Sequence, residues 1–260
     1  MPTLATWNVN SIRARHDRVV AWTARHQPDI LCLQETKVED ARFPGEALAD
    51  LGYQLTLNGQ KTYNGVAILS RAPASEVVRG LGDEVDDPQQ RLLAATIEGI
   101  RVVCVYAPNG GTLDSDKFRY KLAWYARLRA WLGRHARTDQ QLALCGDFNV
   151  APEARDVKLP EKWEREVLFH PDARAALASI TGWGVADAYR MCVADAGMYS
   201  WWDYRAGSLR KDDGLRIDHV LVTPPLAARV RGAIIDRDER EPRDGSENPS
   251  DHAPVVVTLG

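Results

Sequence analysis

Short apolar runs recur along the whole chain, and turn residues separate them. The runs are rich in Val, Ile, Leu and Tyr, the residue types that suit a pleated sheet. They cover 3–7, 30–33, 53–57, 66–69, 92–97, 102–106, 142–145, 217–222 and 255–259. This spacing predicts many short strands, and Glu98-Gly99 has the composition of a hairpin turn between two of them.

Apolar residues recur at helical spacing in three other segments. The clearest segment is 116–135, where Phe118, Leu122, Tyr125 and Leu128 recur every three or four residues with basic residues between them. The segments 15–25 and 172–180 show the same pattern over a shorter length. We therefore expect helices between groups of strands.

The balance of strands and helices predicts the fold class. The strands are too numerous for one doubly wound sheet. Some follow the preceding strand after a connection of hairpin length, and others follow it after a connection long enough for a helix. The pattern favours an α+β fold with two mixed β-sheets face to face, flanked by helices on both sides. Because no linker-like segment divides the sequence, we expect residues 1–260 to form a single domain.

Composition excludes two broad classes of protein. The chain has 260 residues, a formal net charge of −3 and 45% hydrophobic residues, which is not the composition of a disordered chain. The longest apolar run, 102–107, is far shorter than the roughly 20 residues that a bilayer requires. The amino terminus has no export signal and the four Cys form no CxxC pair. We therefore expect a cytoplasmic protein with reduced thiols, and a monomer that does not bind a membrane.

Six of the apolar runs end in polar residues that a strand end can present at the edge of a sheet. Each case alone fits an ordinary strand end, because Asn and Asp commonly start turns. Together they bring carboxylates, amides, a Tyr and a His to one end of the predicted sheets. The residues are Asn8, Asn10, Glu35, Lys37, Tyr106, Asn109, Asp147, Asn149, Asp218, Asp251 and His252.

This set of side chains favours one kind of metal chemistry. Carboxylate and amide oxygens without thiolates suit Mg²⁺ or Mn²⁺, and no HExxH or CxxC pattern supports zinc. A cation would relieve the repulsion between crowded carboxylates and bind a phosphate oxygen. Asp218 is a suitable partner to hold a protonated His252 against a phosphoryl oxygen. The sequence has no GxSxG elbow and no P-loop motif, so serine hydrolases and P-loop NTPases are not indicated.

Eight motifs in these segments resemble one enzyme family. They are WNVNSIRAR, LQETK, YNGVAILSR, YAPNG, GDFNV, SWWDYR, GLRID and SDHAP. The chain resembles the exodeoxyribonuclease III branch of the endonuclease/exonuclease/phosphatase superfamily from about residue 4 to residue 257. GDFN and SDH are shared across the superfamily, whereas SWWDYR and GLRID point to the exodeoxyribonuclease III branch.

The resemblance implies a four-layer αββα sandwich and a Mg²⁺-dependent DNA repair nuclease, with Mn²⁺ as a substitute. Such an enzyme acts on duplex DNA at abasic sites, nicks or 3′ ends and leaves a 3′-hydroxyl. The implied catalytic residues are Tyr106, Asp147, Asn149, Asp218 and His252. The implied metal ligands are led by Glu35, and the set is Asn8 or Asn10, Glu35, Asp147, Asn149, Asp251 and His252.

The resemblance also implies substrate contacts. Trp201, Trp202 and Leu215 would line an apolar pocket for a baseless deoxyribose, and Arg13, Arg91 and Lys121 would contact the DNA backbone. Tyr63 and Asn64 would lie near the DNA, and Asn109 would bind the scissile phosphate with Asn149. His170, in the loop 150–173, would either favour nicks and 3′ termini or have no such role.

Alternatives stay open at this point. A phosphoesterase of the same fold would act on a substrate other than DNA, and a non-catalytic regulator would only bind nucleic acid. The presence of Glu35, Asp147 and His252 disfavours the regulator. The balance between exonuclease and abasic-site endonuclease activity is also open, and the charged segment 236–247 is predicted to be a surface loop.

Overall fold

The computed structural model describes residues 1–242 and 248–260. Its strands are β1 Thr3–Asn8, β2 Ile30–Gln34, β3 Gln54–Asn58, β4 Val66–Ser70, β5 Ser75–Arg79, β6 Leu92–Ile97, β7 Ile100–Tyr106, β8 Leu142–Asp147, β9 Ala186–Asp187, β10 Trp201–Trp202, β11 Gly214–Leu215, β12 Asp218–Val222, β13 Val230–Ile235 and β14 Val255–Leu259. Its α-helices are α1 His16–His26, α2 Glu46–Asp50, α3 Asp116–His135, α4 Pro160–Trp163, α5 Pro171–Thr181, α6 Ala188–Cys192, α7 Ser208–Lys211 and α8 Pro224–Ala227. Short 3₁₀ helices lie at Asp40–Arg42, Ala154–Asp156 and Arg237–Arg240.

Most strands belong to two six-stranded mixed sheets. The first sheet has the order β13-β14-β1-β2-β4-β3 and the second has the order β5-β6-β7-β8-β12-β9. Each sheet contains a parallel pair at its centre, β1 with β2 and β7 with β8, among antiparallel neighbours. Strands β10 and β11 form a separate two-stranded ribbon.

Three apolar clusters show how the layers stack. One cluster fills the space between the two sheets and includes Cys32, Cys104 and Cys145. A second lies between the first sheet and α1, and a third lies between the second sheet and α3 with α5. The order is therefore helix, sheet, sheet, helix, which confirms the predicted α+β sandwich. All four thiols are free; the three in the cluster between the sheets are buried and Cys192 is exposed.

The strand pairings bring the polar strand ends together. Asn8 pairs with Gln34 at the carboxyl ends of β1 and β2, so Glu35 emerges beside Asn8. In the second sheet Tyr106 pairs with Asp147, and Asp147 also pairs with Asp218 at the start of β12. Because the two sheets lie face to face, these two groups of side chains meet at one end of the sandwich.

Within the described residues, no helix has the length and apolar character needed to cross a membrane.

The prediction of a surface loop at 236–247 is wrong for its first part, and residues 243–247 lie outside the described residues. Glu239 is fully buried and accepts hydrogen bonds from Arg18 Nε at 3.1 Å and Arg25 Nη2 at 2.5 Å. Trp22 Nε1 donates to Asp236 Oδ2 at 2.8 Å. Asp236 and Glu239 are therefore partners of α1.

We expect Glu239→Ala to lower the free energy of unfolding by about 3 kcal/mol, because it leaves the buried Arg18 guanidinium without its carboxylate. Urea denaturation measures the change. Glu241→Ala is the matched control, since Glu241 is exposed and pairs with Arg237 at the surface. An equal loss in the two variants would contradict a structural role for the buried pair.

Candidate active site

The polar strand ends meet in a cleft at one end of the sandwich, and Asn8 links the two sheets at its centre. Its side-chain amide donates to Glu35 Oε1 and to Asp147 Oδ2, both at 2.9 Å. Asn8 lies at the end of β1, Glu35 follows β2, and Asp147 ends β8. One buried amide therefore holds two carboxylates from opposite sheets beside each other, although 139 residues separate Asn8 from Asp147 in the chain.

A tight turn after β8 presents Asn149 next to Asp147. The Asn149 backbone N–H donates to Asp147 Oδ1 at 2.8 Å, and its side-chain amide donates to Ala107 O at 2.9 Å. Asn149 has φ 51°, in the left-handed region that few residues other than glycine adopt. Asn109 Nδ2 donates to Asn149 Oδ1 at 3.1 Å and so joins the same cluster.

His252 and Asp218 form a buried pair in the same cleft. His252 Nδ1 lies 2.8 Å from Asp218 Oδ2, which also accepts from Ser200 Oγ at 2.6 Å. The other ring nitrogen, Nε2, lies 3.7 Å from Asp147 Oδ2. The imidazole therefore sits between two carboxylates, with its orientation fixed by Asp218.

The charges in the cleft shift its titrating groups. Burial raises the pKa of Asp147 to about 7, and the Asp218 carboxylate adds to that effect while His252 opposes it. Burial alone would lower the pKa of His252, but Asp218 and Asp147 raise it to about 10. Burial, with the charges of Glu35 and Asp147, raises the pKa of the Tyr106 phenol well above its usual value. At neutral pH the imidazole is therefore a cation and the phenol keeps its proton.

The donor set fits a hard divalent cation. Glu35, Asp147 and Asp218 bring three carboxylates together, and one oxygen of Asp218 has no hydrogen-bond partner among the described residues. Lys37 Nζ lies 2.9 Å from Glu35 Oε2, so this carboxylate already attracts a positive charge. Asp147, Asp218 and His252 also lie close enough to hold an ion. Because His252 is itself cationic, the Glu35 side of the cleft suits a metal better.

The rim of the cleft contains Asp251 and Trp201. Asp251 Oδ2 accepts from Trp201 Nε1 at 3.0 Å, and Asp251 Oδ1 accepts from Asn10 Nδ2 at 2.9 Å. Both oxygens of Asp251 are therefore occupied by side-chain donors, which makes Asp251 a link between the rim and β1.

Two cavities flank this cluster. The larger, of about 540 Å³, is lined by residues that include Asn109, Trp163 and Trp201. The smaller, of about 270 Å³, is lined by residues that include Glu35, Tyr106 and four of the predicted substrate residues, namely Tyr63, Asn64, Arg91 and Asn109. The carboxylates and amides thus lie between two open spaces, an arrangement that suits a chain passing across the site.

Arg91 and Tyr63 differ in how exposed they are to solvent. Arg91 lies over the ring of Tyr106 with 4.6 Å between the guanidinium carbon and the ring centre, and it donates to Tyr106 O. Tyr63 is 68% exposed at the mouth of the smaller cavity. Asn64 beneath it is buried and donates to Gln60. Arg13 is exposed.

The structure corrects the prediction that Lys121 contacts the DNA backbone, because this side chain is buried. Lys121 is fully buried, and its ammonium donates to the carbonyls of Asn109, Asn149 and Val167. Burial lowers the pKa of Lys121 to about 7. The side chain cannot reach a DNA strand from this position, and it instead fixes the backbone of the two asparagines.

The structure also corrects the prediction for two of the three residues expected to line the sugar pocket. Trp202 and Leu215 are fully buried in the apolar clusters, so of the three predicted residues only Trp201 lines the larger cavity. His170 caps the start of α5, accepts from Asp172 N at 3.2 Å and packs edge-on against Phe118. The structure thus gives His170 a local role, and its effect on substrate choice stays a prediction.

Ser200 is a site residue that sequence reasoning missed. Its hydroxyl donates to Asp218 and accepts from the backbone N–H groups of Ile217 and Asp218. The motif SWWDYR begins with this residue, but a serine outside any nucleophile motif gives no signal of its own.

The geometry agrees with comparisons to known proteins. The family model for the endonuclease/exonuclease/phosphatase family matches residues 5–252. Exodeoxyribonuclease III of Haemophilus influenzae is 33% identical over 262 residues, which cover 96% of this chain and 97% of that protein. An AP endonuclease structure from Archaeoglobus fulgidus has a TM-score of 0.95 at 40% identity, covering 100% of this chain and 99% of that one. The 3′ phosphatase NExo from Neisseria, solved with a product DNA hairpin, has the same TM-score and identity and covers both chains fully.

Proposed function

Because this chain belongs to the endonuclease/exonuclease/phosphatase family, we propose that it is a DNA repair nuclease that hydrolyses phosphodiesters in this cleft. The nuclease assignment rests on near-complete matches to an exodeoxyribonuclease III and to AP endonuclease structures. The mechanism is inferred mainly from the Asn8 amide, which donates hydrogen bonds to Glu35 and Asp147 at the same time.

We infer that the cofactor is Mg²⁺, with Mn²⁺ able to replace it. Glu35 is the main ligand in this proposal, with oxygen atoms of Asn8 and of the neighbouring site residues as further donors. When bound, the ion supplies positive charge that stabilises the phosphoryl oxygens as negative charge develops. The oxygen ligands of Glu35 and Asp147, which the Asn8 amide holds next to each other, support this choice.

Side chains of the protein activate the water, bind the phosphate and pair with its charge. Asp147 orients the attacking water and takes its proton, since its carboxylate is held by Asn8 and Asn149 and its pKa lies near neutrality. Asn149 and Asn109 bind the scissile phosphate with their amides, and the Tyr106 phenol donates a hydrogen bond to the same group. His252, a cation held by Asp218, pairs with a non-bridging oxygen.

The substrate in this proposal is duplex DNA with abasic sites, nicks or 3′ ends. Hydrolysis leaves a 3′-hydroxyl on one strand segment and a 5′-phosphate on the other. Support comes from the product DNA hairpin bound to the Neisseria relative and from two cavities that continue the cleft on both sides. We further propose that the chain is one domain that works as a monomer in the cytoplasm.

A side-by-side digestion tests this function. One duplex has a tetrahydrofuran abasic analogue and another has a recessed 3′ end, and each is incubated with Mg²⁺, Mn²⁺ or EDTA. We expect both duplexes to be cut with either ion and neither to be cut in EDTA. Cleavage that persists in EDTA would contradict the metal, and hydrolysis of a lipid or inositol phosphate without any cleavage of DNA would favour the same-fold phosphoesterase.

A further inference from the structure

Two segments of opposite charge contact each other through Arg127. The segment 83–87, between β5 and β6, is mostly acidic, and helix α3 carries basic residues along its length. Arg127 of α3 donates to both carboxylate oxygens of Asp83 at 2.8 Å and to Asp87 Oδ2 at 2.7 Å. At most 16% of each of these three side chains is exposed. The Arg127 guanidinium therefore fixes the acidic segment to α3.

Asp87 connects Arg127 to the wall of the smaller cavity. The same Oδ2 atom of Asp87 accepts a hydrogen bond from the Tyr120 hydroxyl at 2.9 Å, and Tyr120 lines that cavity. Burial raises the pKa of Tyr120 to about 12, so the hydroxyl keeps its proton at neutral pH and stays a donor. The Asp87 carboxylate therefore fixes the Tyr120 side chain as well.

Arg91 is held in one orientation by its neighbours in this wall. Its guanidinium carbon lies 4.6 Å from the ring centre of Tyr106 and 5.9 Å from that of Tyr120. Its Nε donates to Gln89 Oε1 at 2.9 Å and its Nη1 donates to Tyr106 O at 3.1 Å. Its Nη2 has no hydrogen-bond partner among the described residues, and this atom reaches the solvent. A planar cation with one free donor edge suits a phosphate oxygen.

Residues 89–91 also hold the neighbouring segment 60–65. The Gln90 N–H donates to Gln60 Oε1 at 2.9 Å, and the Gly65 N–H donates to Gln90 O at 3.0 Å. Tyr63 and Asn64, which line the same cavity, belong to this segment. A displacement of residues 89–91 would therefore move several residues of the cavity wall together.

We propose that Arg127 is a positioning residue for DNA binding, which acts through Asp87 to hold Arg91 against a phosphate of the DNA backbone. The proposal rests on the proposed nuclease function and adds a residue that sets the affinity for the substrate. Arg127 does not line the smaller cavity, so it acts through its partners and not by touching DNA. Loss of Arg127 therefore weakens DNA binding and leaves the rate of hydrolysis of bound DNA unchanged.

Position and charge predict opposite results for one variant. Asp87→Ala removes a negative charge, and charge alone would then strengthen binding to the DNA phosphates. The same change removes the acceptor that Arg127 and Tyr120 share, so the positioning role predicts weaker binding. The double variant Asp87→Ala/Arg127→Gln has the net charge of the wild type, and a loss of affinity in this variant has a geometric cause.

Steady-state cleavage of the tetrahydrofuran duplex tests the proposal. We expect Arg127→Gln, Asp87→Ala and their double variant each to raise KM about tenfold, the effect of losing one hydrogen bond to a charged group, with kcat unchanged. Arg127→Lys keeps the charge without the paired hydrogen bonds, so it is expected to recover only part of the affinity. Arg137→Gln is the matched control, since it breaks an exposed ion pair with Asp139.

Arg91→Gln provides a second measurement that does not depend on Asp87→Ala. If Arg127 acts through Arg91, adding Arg127→Gln to Arg91→Gln leaves KM at the value of Arg91→Gln alone, whereas independent effects multiply. Multiplied effects would overturn the proposal. A KM for folded Asp87→Ala at or below the wild-type value, or a fall in kcat without a rise in KM, would overturn it too. Failure of the wild type to cut the duplex would instead count against the proposed function.

Discussion

Replacing Asp147 with asparagine should lower kcat by about 10²–10⁴-fold, the usual range for loss of a general base. The carboxylate is 1% exposed and lies within reach of Asn8, Asn149 and His252, so water cannot replace it. Asparagine has the same shape but cannot accept the proton of the attacking water. We expect DNA binding to be kept, because the residues that bind the phosphate stay in place.

Single-turnover cleavage of the tetrahydrofuran duplex measures this effect. Asp139→Asn is the matched control, since Asp139 is an exposed carboxylate paired with Arg137 away from the cleft. We expect the control to cleave as the wild type does. Near-normal turnover in Asp147→Asn would remove Asp147 from the mechanism.

The second large effect is expected for Glu35→Gln. Loss of a hydrogen-bond partner of a metal ligand already costs about 10- to 100-fold in affinity or activity, so loss of the ligand itself should cost at least as much. The amide keeps the size of the side chain but removes the negative charge that now attracts Lys37. Activity should recover in part at high Mn²⁺ if the loss lies in metal affinity, which a titration of cleavage rate against metal concentration measures. A rate that is low and independent of metal would indicate a damaged fold instead.

Much of the fold was predictable from the apolar pattern. The nine predicted runs all correspond to strands, and the three helical patterns correspond to α1, α3 and α5. Strand β5 was missed because its five residues are mostly exposed and include Glu76 and Arg79. Strand β13 was missed because only Ile235 of its six residues is buried. An edge strand with one buried position leaves only a short apolar run in the sequence, here the three residues 233–235.

The convergence of the polar strand ends was predictable, but the burial of the individual side chains was not. Strand-end polarity located Asn8, Glu35 and Asp147 because the parallel central strands bring their carboxyl ends to one edge. Asp218 reaches the same edge from the start of β12, which runs antiparallel to β8. Lys121 appears on a basic helix, and nothing in the sequence says that three backbone carbonyls bury its ammonium. Likewise the pairing of Lys162 with Asp213 joins residues 51 apart, which a local pattern cannot show.

Side chains from distant segments of the chain are proposed to form one site for a divalent cation. Mn²⁺ binding to the DNA-free protein, followed by the electron paramagnetic resonance signal of the free ion, tests this most directly. We expect saturable binding to the wild type and to Asp139→Asn, and binding that is about 100-fold weaker in Glu35→Gln. Equal Mn²⁺ affinity in the wild type and in a folded Glu35→Gln variant would contradict it.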